Sequence, residues 1–156
     1  MSDVSVRRVS AAVVRPLRTA VLRPHFRDRF ATYDQDETVA VHIAAVRDGE
    51  VHGVGTIYAE APPRAHRDEI PASAFADGAS WRLRGMATSE ASRGAGLGRA
   101  VLEGCFEVVR DSGGGYLWCN ARLGARAFYE RLGLTTVGPE FDIPAIGPHY
   151  VMWTEV

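Results

Sequence analysis

With 156 residues, 46% of them hydrophobic and 24% charged, the chain has room for one globular domain spanning residues 1–156, and not for two. A formal charge of −1 and the lack of a dense basic run exclude nucleic acid as an expected partner. No apolar run approaches membrane-spanning length and the start lacks a signal-peptide core, so no membrane partner is expected and the cytoplasm is the expected compartment.

Val4 to Val9 alternates as a first strand, and Ser10 is placed to cap a helix through Leu22 with Ala11, Val14, Leu17, Val21 and Leu22 on one face. Pro16 is hard to fit inside that helix, so the helix starts either at Ser10 or at Pro16 itself. His25 to Asp36 reads as an irregular polar surface segment over the site, with Asp34, Asp36 and Glu37 expected in solvent, the alternative being that one of them faces the substrate. Thr38–Val46 and Glu50–Glu60 are β-rich runs joined at Asp48-Gly49, a hairpin signal. Ala61 to Gly78, with Pro62, Pro63 and Pro71, reads as a long functional or mobile loop.

A strand from Trp81 to Met86 leads through Ala87–Ser92 into a helix over Leu97–Arg110, within which Gly104 suggests close packing. Cys105 on this helix and Cys119 on the next strand read as reduced core residues. Tyr116–Asn120 is a short strand, and a helix follows from Asn120 or Ala121 to Leu132, ended by Gly133. The last strands are Leu134–Gly138 and Tyr150–Glu155, separated by a loop between Gly138-Pro139 and Gly147-Pro148. The order β-α-β-β-β-α-β-α-β-β predicts an α/β fold with a mixed sheet and helices on its faces.

The stretch Arg93, Gly94, Ala95, Gly96, Leu97, Gly98, Arg99 follows a strand and opens a helix. Its backbone N–H groups and the helix dipole favour an anion, the glycines leave room for it, and the two arginines add charge-assisted donors. Taken alone it is either a phosphate cradle or a plain glycine-rich helix cap. It is not a P-loop, because no lysine is present anywhere in the chain.

This R-x-x-G-x-G spacing resembles the acyl-CoA loop of the GNAT N-acetyltransferase superfamily. LWCNARLGARAFYERLGL, from Leu117 to Leu134, resembles that superfamily's second block: a strand ending in Asn120, then Phe128-Tyr129 and Gly133-Leu134. The closing GPEFDIPAIGPHYVMW resembles a C-terminal pattern of one subgroup, so the resemblance covers roughly residues 38 to 155.

The resemblance implies a mixed sheet of about seven strands, splayed between strands 4 and 5, with helices on both faces. It implies acetyl-CoA as co-substrate, no metal, and an amine acceptor that is a small molecule or a peptide; homodimers are common in the family. The backbone of Met86, Ala87 and Thr88 would pair with the pantetheine, Arg93 to Arg99 would hold the pyrophosphate, Asn120 would bond the pantetheine arm or a water, and Phe128 would pack on the donor. Phe128 also reads as core packing against Leu132.

Direct attack on a thioester needs a neutral amine, and deprotonating one of pKa about 10.4 at pH 7 costs roughly 4–5 kcal/mol. Glu60 and His149 are candidate bases, histidine because it titrates near neutrality. Both have structural readings too, a solvated carboxylate and a turn histidine bonded to backbone. Glu140 and Asp142 could line the acceptor entrance. Tyr129 matches the family's general-acid position, where a phenol near pKa 10 assists the departing thiolate; the alternative is a half-buried structural tyrosine. The alternative for the whole chain is a catalytically silent acyl-CoA sensor or regulatory module of the same fold.

Overall fold

The computed structural model describes residues 3–25 and 31–156. Its elements are β1 (Val4–Val9), α1 (Ala11–Leu22), β2 (Val41–Arg47), β3 (Glu50–Ala59), β4 (Ser80–Thr88), α2 (Leu97–Asp111), β5 (Tyr116–Arg122), α3 (Arg126–Arg131), β6 (Thr135–Ile143) and β7 (Gly147–Glu155). The seven strands form a mixed sheet in the order β1-β2-β3-β4-β5-β7-β6. β4 and β5 run parallel, registered from Ser80 opposite Tyr116 to Leu83 opposite Cys119. The β1–β2, β2–β3, β5–β7 and β6–β7 pairs are antiparallel. The described residues group into two compact units, Met1–Tyr58 with Arg84–Val108 and Ala59–Leu83 with Val109–Val156.

In the first unit α1 and α2 cover opposite faces. Val14 packs with Ala44, Val54 and Ala87, and Leu17 and Val21 close over them. α2 takes the other face, where a Cβ on Gly104 would stand 2.8 Å from Val6 and 3.1 Å from Ile43. Gly104 therefore sets how closely the helix approaches the sheet. α1 runs unbroken through Pro16. Ala12 and Pro16 both lie on its exposed side, so the Ala12 carbonyl that a proline leaves unbonded faces water.

The same helix buries two residues that its apolar pattern did not count, Arg18 and Thr19. Arg18 is fully enclosed and forms a two-pronged pair with Asp36, NH1 to Oδ2 at 2.8 Å and NH2 to Oδ1 at 3.2 Å. Asp36 is thus a buried ion-pair partner and not the solvated carboxylate expected. Its carboxylate also accepts the Tyr33 N–H at 3.0 Å. Burial alone would raise its pKa, but the Arg18 and Tyr33 hydrogen bonds and the nearby positive charge outweigh it and hold the carboxyl below its usual range. Arg18 NH2 donates to Thr56 Oγ1 at 2.7 Å, and the Thr56 hydroxyl donates to His42 Nδ1 at 2.8 Å. His42 Nε2–H donates in turn to the Asp36 carbonyl at 2.9 Å, which closes the network.

In the second unit Ile70, Ala74, Trp118, Val137 and Val151 form the core. Ile70 and Ala74 come from the stretch expected to be a loop. That stretch carries 3-10 turns at Arg64–His66 and Ala72–Phe75, each introduced by a proline, and two of its apolar side chains anchor it. The expected loop over 139–149 is largely a hairpin: β6 continues past Pro139 with a register shift between Val137 and Phe141. α3 begins at Arg126, later than expected, because Asn120 to Arg122 pair with Val151 to His149 as strand.

Candidate active site

The glycine stretch lies in the first unit. A short 3-10 turn, Glu90–Ser92, precedes it and is tied down on two sides. The Ser89 N–H donates to the His52 carbonyl at 2.8 Å, and Arg47 NH2 donates to the buried Ser92 hydroxyl at 3.0 Å. From there the chain turns through Gly94 at φ +84° and Gly96 at φ +79°. A Cβ at either would meet nothing within 4 Å. The left-handed backbone at both positions favours glycine. The Ala95 N–H is taken by the Ser92 carbonyl at 3.1 Å, and the first α2 N–H taken by loop backbone is that of Ala100, from Gly96 at 3.0 Å. Among the described residues the N–H groups of Leu97, Gly98 and Arg99, in the helix's first turn, have no such partner. Arg93 and Arg99 are exposed beside them, with Arg99 Nε paired to Glu103 at 3.0 Å.

β4 brings Met86, Ala87 and Thr88 up to this turn. Ala87 is buried in the α1 cluster, while Met86 and Thr88 are half-buried. The preceding Gly85, not singled out from the sequence, has φ +65° within the strand. A Cβ there would stand 2.8 Å from Arg18 Nε. The signal was available, since a glycine inside a strand marks a bulge or a close approach.

The second unit holds the remaining candidates. Asn120 is half-buried on β5, and its Oδ1 is buried without a hydrogen-bond partner among the described residues. Phe128 and Tyr129 sit on α3 with ring centroids 5.1 Å apart, edge to face, and Tyr129 is buried. His149 is buried, donates Nδ1–H to the Gly147 carbonyl at 2.7 Å and lies 5.9 Å from the Phe141 ring. That bond leaves its Nε2 as the basic nitrogen. Asn120 opposite Val151 and Arg122 opposite His149 are alternate pairs of one ladder, so Asn120 and His149 share a face. Glu60 is paired with Arg82 at 3.0 Å, and Arg82 lies over the Trp118 ring. Glu140 and Asp142 are exposed.

Cys119 is buried, and burial pushes its thiol up to about 12, with Arg82 pulling the other way. A buried thiol held in its protonated form is a poor nucleophile. A Cys119→Ala chain is expected to turn over at a near-normal rate in a CoA-release assay; a collapse of turnover with the fold intact would point to an acyl-enzyme formed on Cys119.

Residues 10–134 match the sequence profile described as "Acetyltransferase (GNAT) family". Over 149 residues the chain is 29% identical to the "Uncharacterized N-acetyltransferase YitI" of Bacillus subtilis (strain 168), spanning 95% of this chain and 93% of that one. Its fold is similar to Escherichia coli ElaA, at a TM-score of 0.73 and 18% identity over 99% of this chain and 100% of the other. It is also similar to an acyl-CoA N-acyltransferase from Pseudomonas aeruginosa, at a TM-score of 0.70 and 19% identity over 98% and 99%.

Proposed function

Because the chain belongs to the GNAT acetyltransferase family, we propose that it works as one N-acetyltransferase domain, moving acetyl from acetyl-CoA to a primary amine by direct attack while both are bound. The observation that carries this reading is the turn at Gly94 and Gly96, which opens α2 with unpaired N–H groups and an arginine on either side. A helix start of this kind favours a diphosphate. The orphaned Oδ1 of Asn120 fits the same donor, since a buried acceptor of this kind is satisfied by an amide N–H.

Bound acetyl-CoA supplies a thioester carbonyl open to attack and a sulfur able to leave. Arg93 to Arg99 grip its diphosphate, and the Met86–Thr88 backbone pairs with its amides as an added strand would. The Met86 N–H donates to the carbonyl oxygen as charge develops there. Phe128 packs against the donor. His149 Nε2 takes the amine proton, because Glu60 is engaged by Arg82. Glu140 and Asp142, both exposed, draw the cationic amine in.

Tyr129 donates a proton to the leaving sulfur. General acids contribute about 10²–10⁴-fold, and a thiolate is a good leaving group, so Tyr129→Phe is expected at the low end, a loss of about 100-fold in kcat with the KM for acetyl-CoA unchanged. The test is release of CoA over a panel of amines. An unaltered kcat in the variant would make Tyr129 a packing residue. Tight acetyl-CoA binding with no turnover on any amine would favour a silent sensor of the same fold.

A further inference from the structure

The first unit holds a charged cluster that the acyl-donor reading leaves unused. Arg15 pairs with Glu37 and lies 3.5 Å from Asp36, while Arg18 is taken up by Asp36. Arg84 has no such partner: among the described residues no carboxylate lies within ion-pair distance of it. Its guanidinium stacks 3.9 Å from the centroid of the Tyr33 ring, the ring that Arg18 also approaches at 4.3 Å. Its NH1 reaches the Tyr58 hydroxyl at 3.4 Å. Among the described residues three guanidiniums thus stand against two carboxylates, and the surplus charge sits on Arg84, which is half-buried. Arg18 Nε adds a fully buried N–H without a partner among the described residues, beside Gly85.

A half-enclosed, un-neutralised guanidinium held over an aromatic ring is a receptor for an anion. The ring fixes its orientation, and its fork matches the two oxygens of a carboxylate. A surplus of one charge suits a carboxylate, whereas a phosphate dianion would call for more. Arg84 also lies two residues before Met86, about 7 Å along the strand. A small amine attacking at Met86 can therefore hold its own carboxylate at Arg84.

We propose that Arg84 is the anion receptor of the acceptor site, and that the acceptor is an amine bearing a carboxylate. The inference rests on the acyl-transfer reading for what happens to the amine, while the anion site itself can be measured without turnover. The probes are the protein amino acids and their C-terminal amides, assayed for CoA release and, separately, for calorimetric binding to the CoA-loaded chain.

Free acids are expected to exceed the matching amides by about 10- to 100-fold in kcat/KM, the range for losing a charged hydrogen bond. In Arg84→Gln that preference is expected to collapse, and Arg84→Lys should restore part of it. Wild-type acetyl-CoA affinity in both variants shows that they are folded.

Equal use of acids and amides, or an undiminished preference in Arg84→Gln, overturns the carboxylate site and leaves acyl transfer standing. Arg84-dependent binding of an amino acid without CoA release from any amine supports the site and overturns acyl transfer. The absence of both CoA release and binding with every amino acid tested overturns the proposal.

Discussion

A Gly96→Glu chain is expected to lose acetyl-CoA affinity by about 100-fold or more while remaining folded. Three costs act together. Any side chain at φ +79° is strained, by roughly 1–2 kcal/mol in the left-handed region. A carboxylate at the mouth of the loop repels a diphosphate, and two like charges about 4 Å apart cost roughly 1 kcal/mol in water and several times that where solvent is partly excluded. The side chain also covers the unpaired N–H groups of the first α2 turn, and each charged hydrogen bond lost is worth about 1.5–3 kcal/mol. The fold survives because a Cβ at Gly96 meets nothing within 4 Å. Gly96→Ala separates the contributions: it carries the strain without the charge, so its affinity is expected to fall about tenfold. Thermal unfolding of both variants alongside calorimetry distinguishes a lost site from a lost fold. Undiminished uptake by Gly96→Glu would remove the loop from the donor site.

The second large effect falls on stability. Asp36→Asn leaves the fully buried Arg18 without its counter-charge, and removing one member of a buried pair costs about 3–5 kcal/mol. A domain of this size holds roughly 5–15 kcal/mol in all, so the variant should melt about 10 °C or more below the parent. Asp36 has a depressed carboxyl pKa in the folded chain. Its contribution is therefore fully present above the ordinary value of 3.8 and is lost as pH falls from there through the lowered one. Urea unfolding at a series of pH values should show a loss of parent stability on acidification below that point, and Asp36→Asn should lack this component. Replacing the pair together, Arg18→Met with Asp36→Leu, is expected to recover much of the loss, because the charges leave together. An Asp36→Asn chain as stable as the parent at pH 7 would show that the network does not hold the unit.

How much of this could be read from the chain follows from how local each signal is. The hairpin at Asp48-Gly49, the helix opening at Leu97 and the alternation of strands and helices are each written in a few adjacent residues. The Arg18–Asp36 pair was missed because it joins residues 18 apart through a fold not yet known. A trace was present all the same: Arg18 falls in the stripe of Ala11, Val14 and Val21, and a cation at a core position demands a buried carboxylate.

In the sequence Pro139 marks the end of a strand. It lies within β6, at the edge of the sheet, where a missing N–H costs no ladder bond and a register shift absorbs the irregularity. The expected α3 is too long because apolar spacing runs back through Leu123, which is exposed in a 3-10 turn. The residues proposed for the donor were legible through motif spacing. The role of Arg84 is not legible there, because its surroundings are built by Tyr33 and Tyr58 from distant parts of the chain, whereas Gly85 carries a local mark as a glycine inside a strand.

The donor site stands or falls on titration of the unaltered chain with acetyl-CoA by calorimetry. The account predicts saturable one-to-one uptake, competed by free CoA and weakened by Gly96→Glu. A folded chain that takes up no acetyl-CoA at millimolar concentration would contradict it.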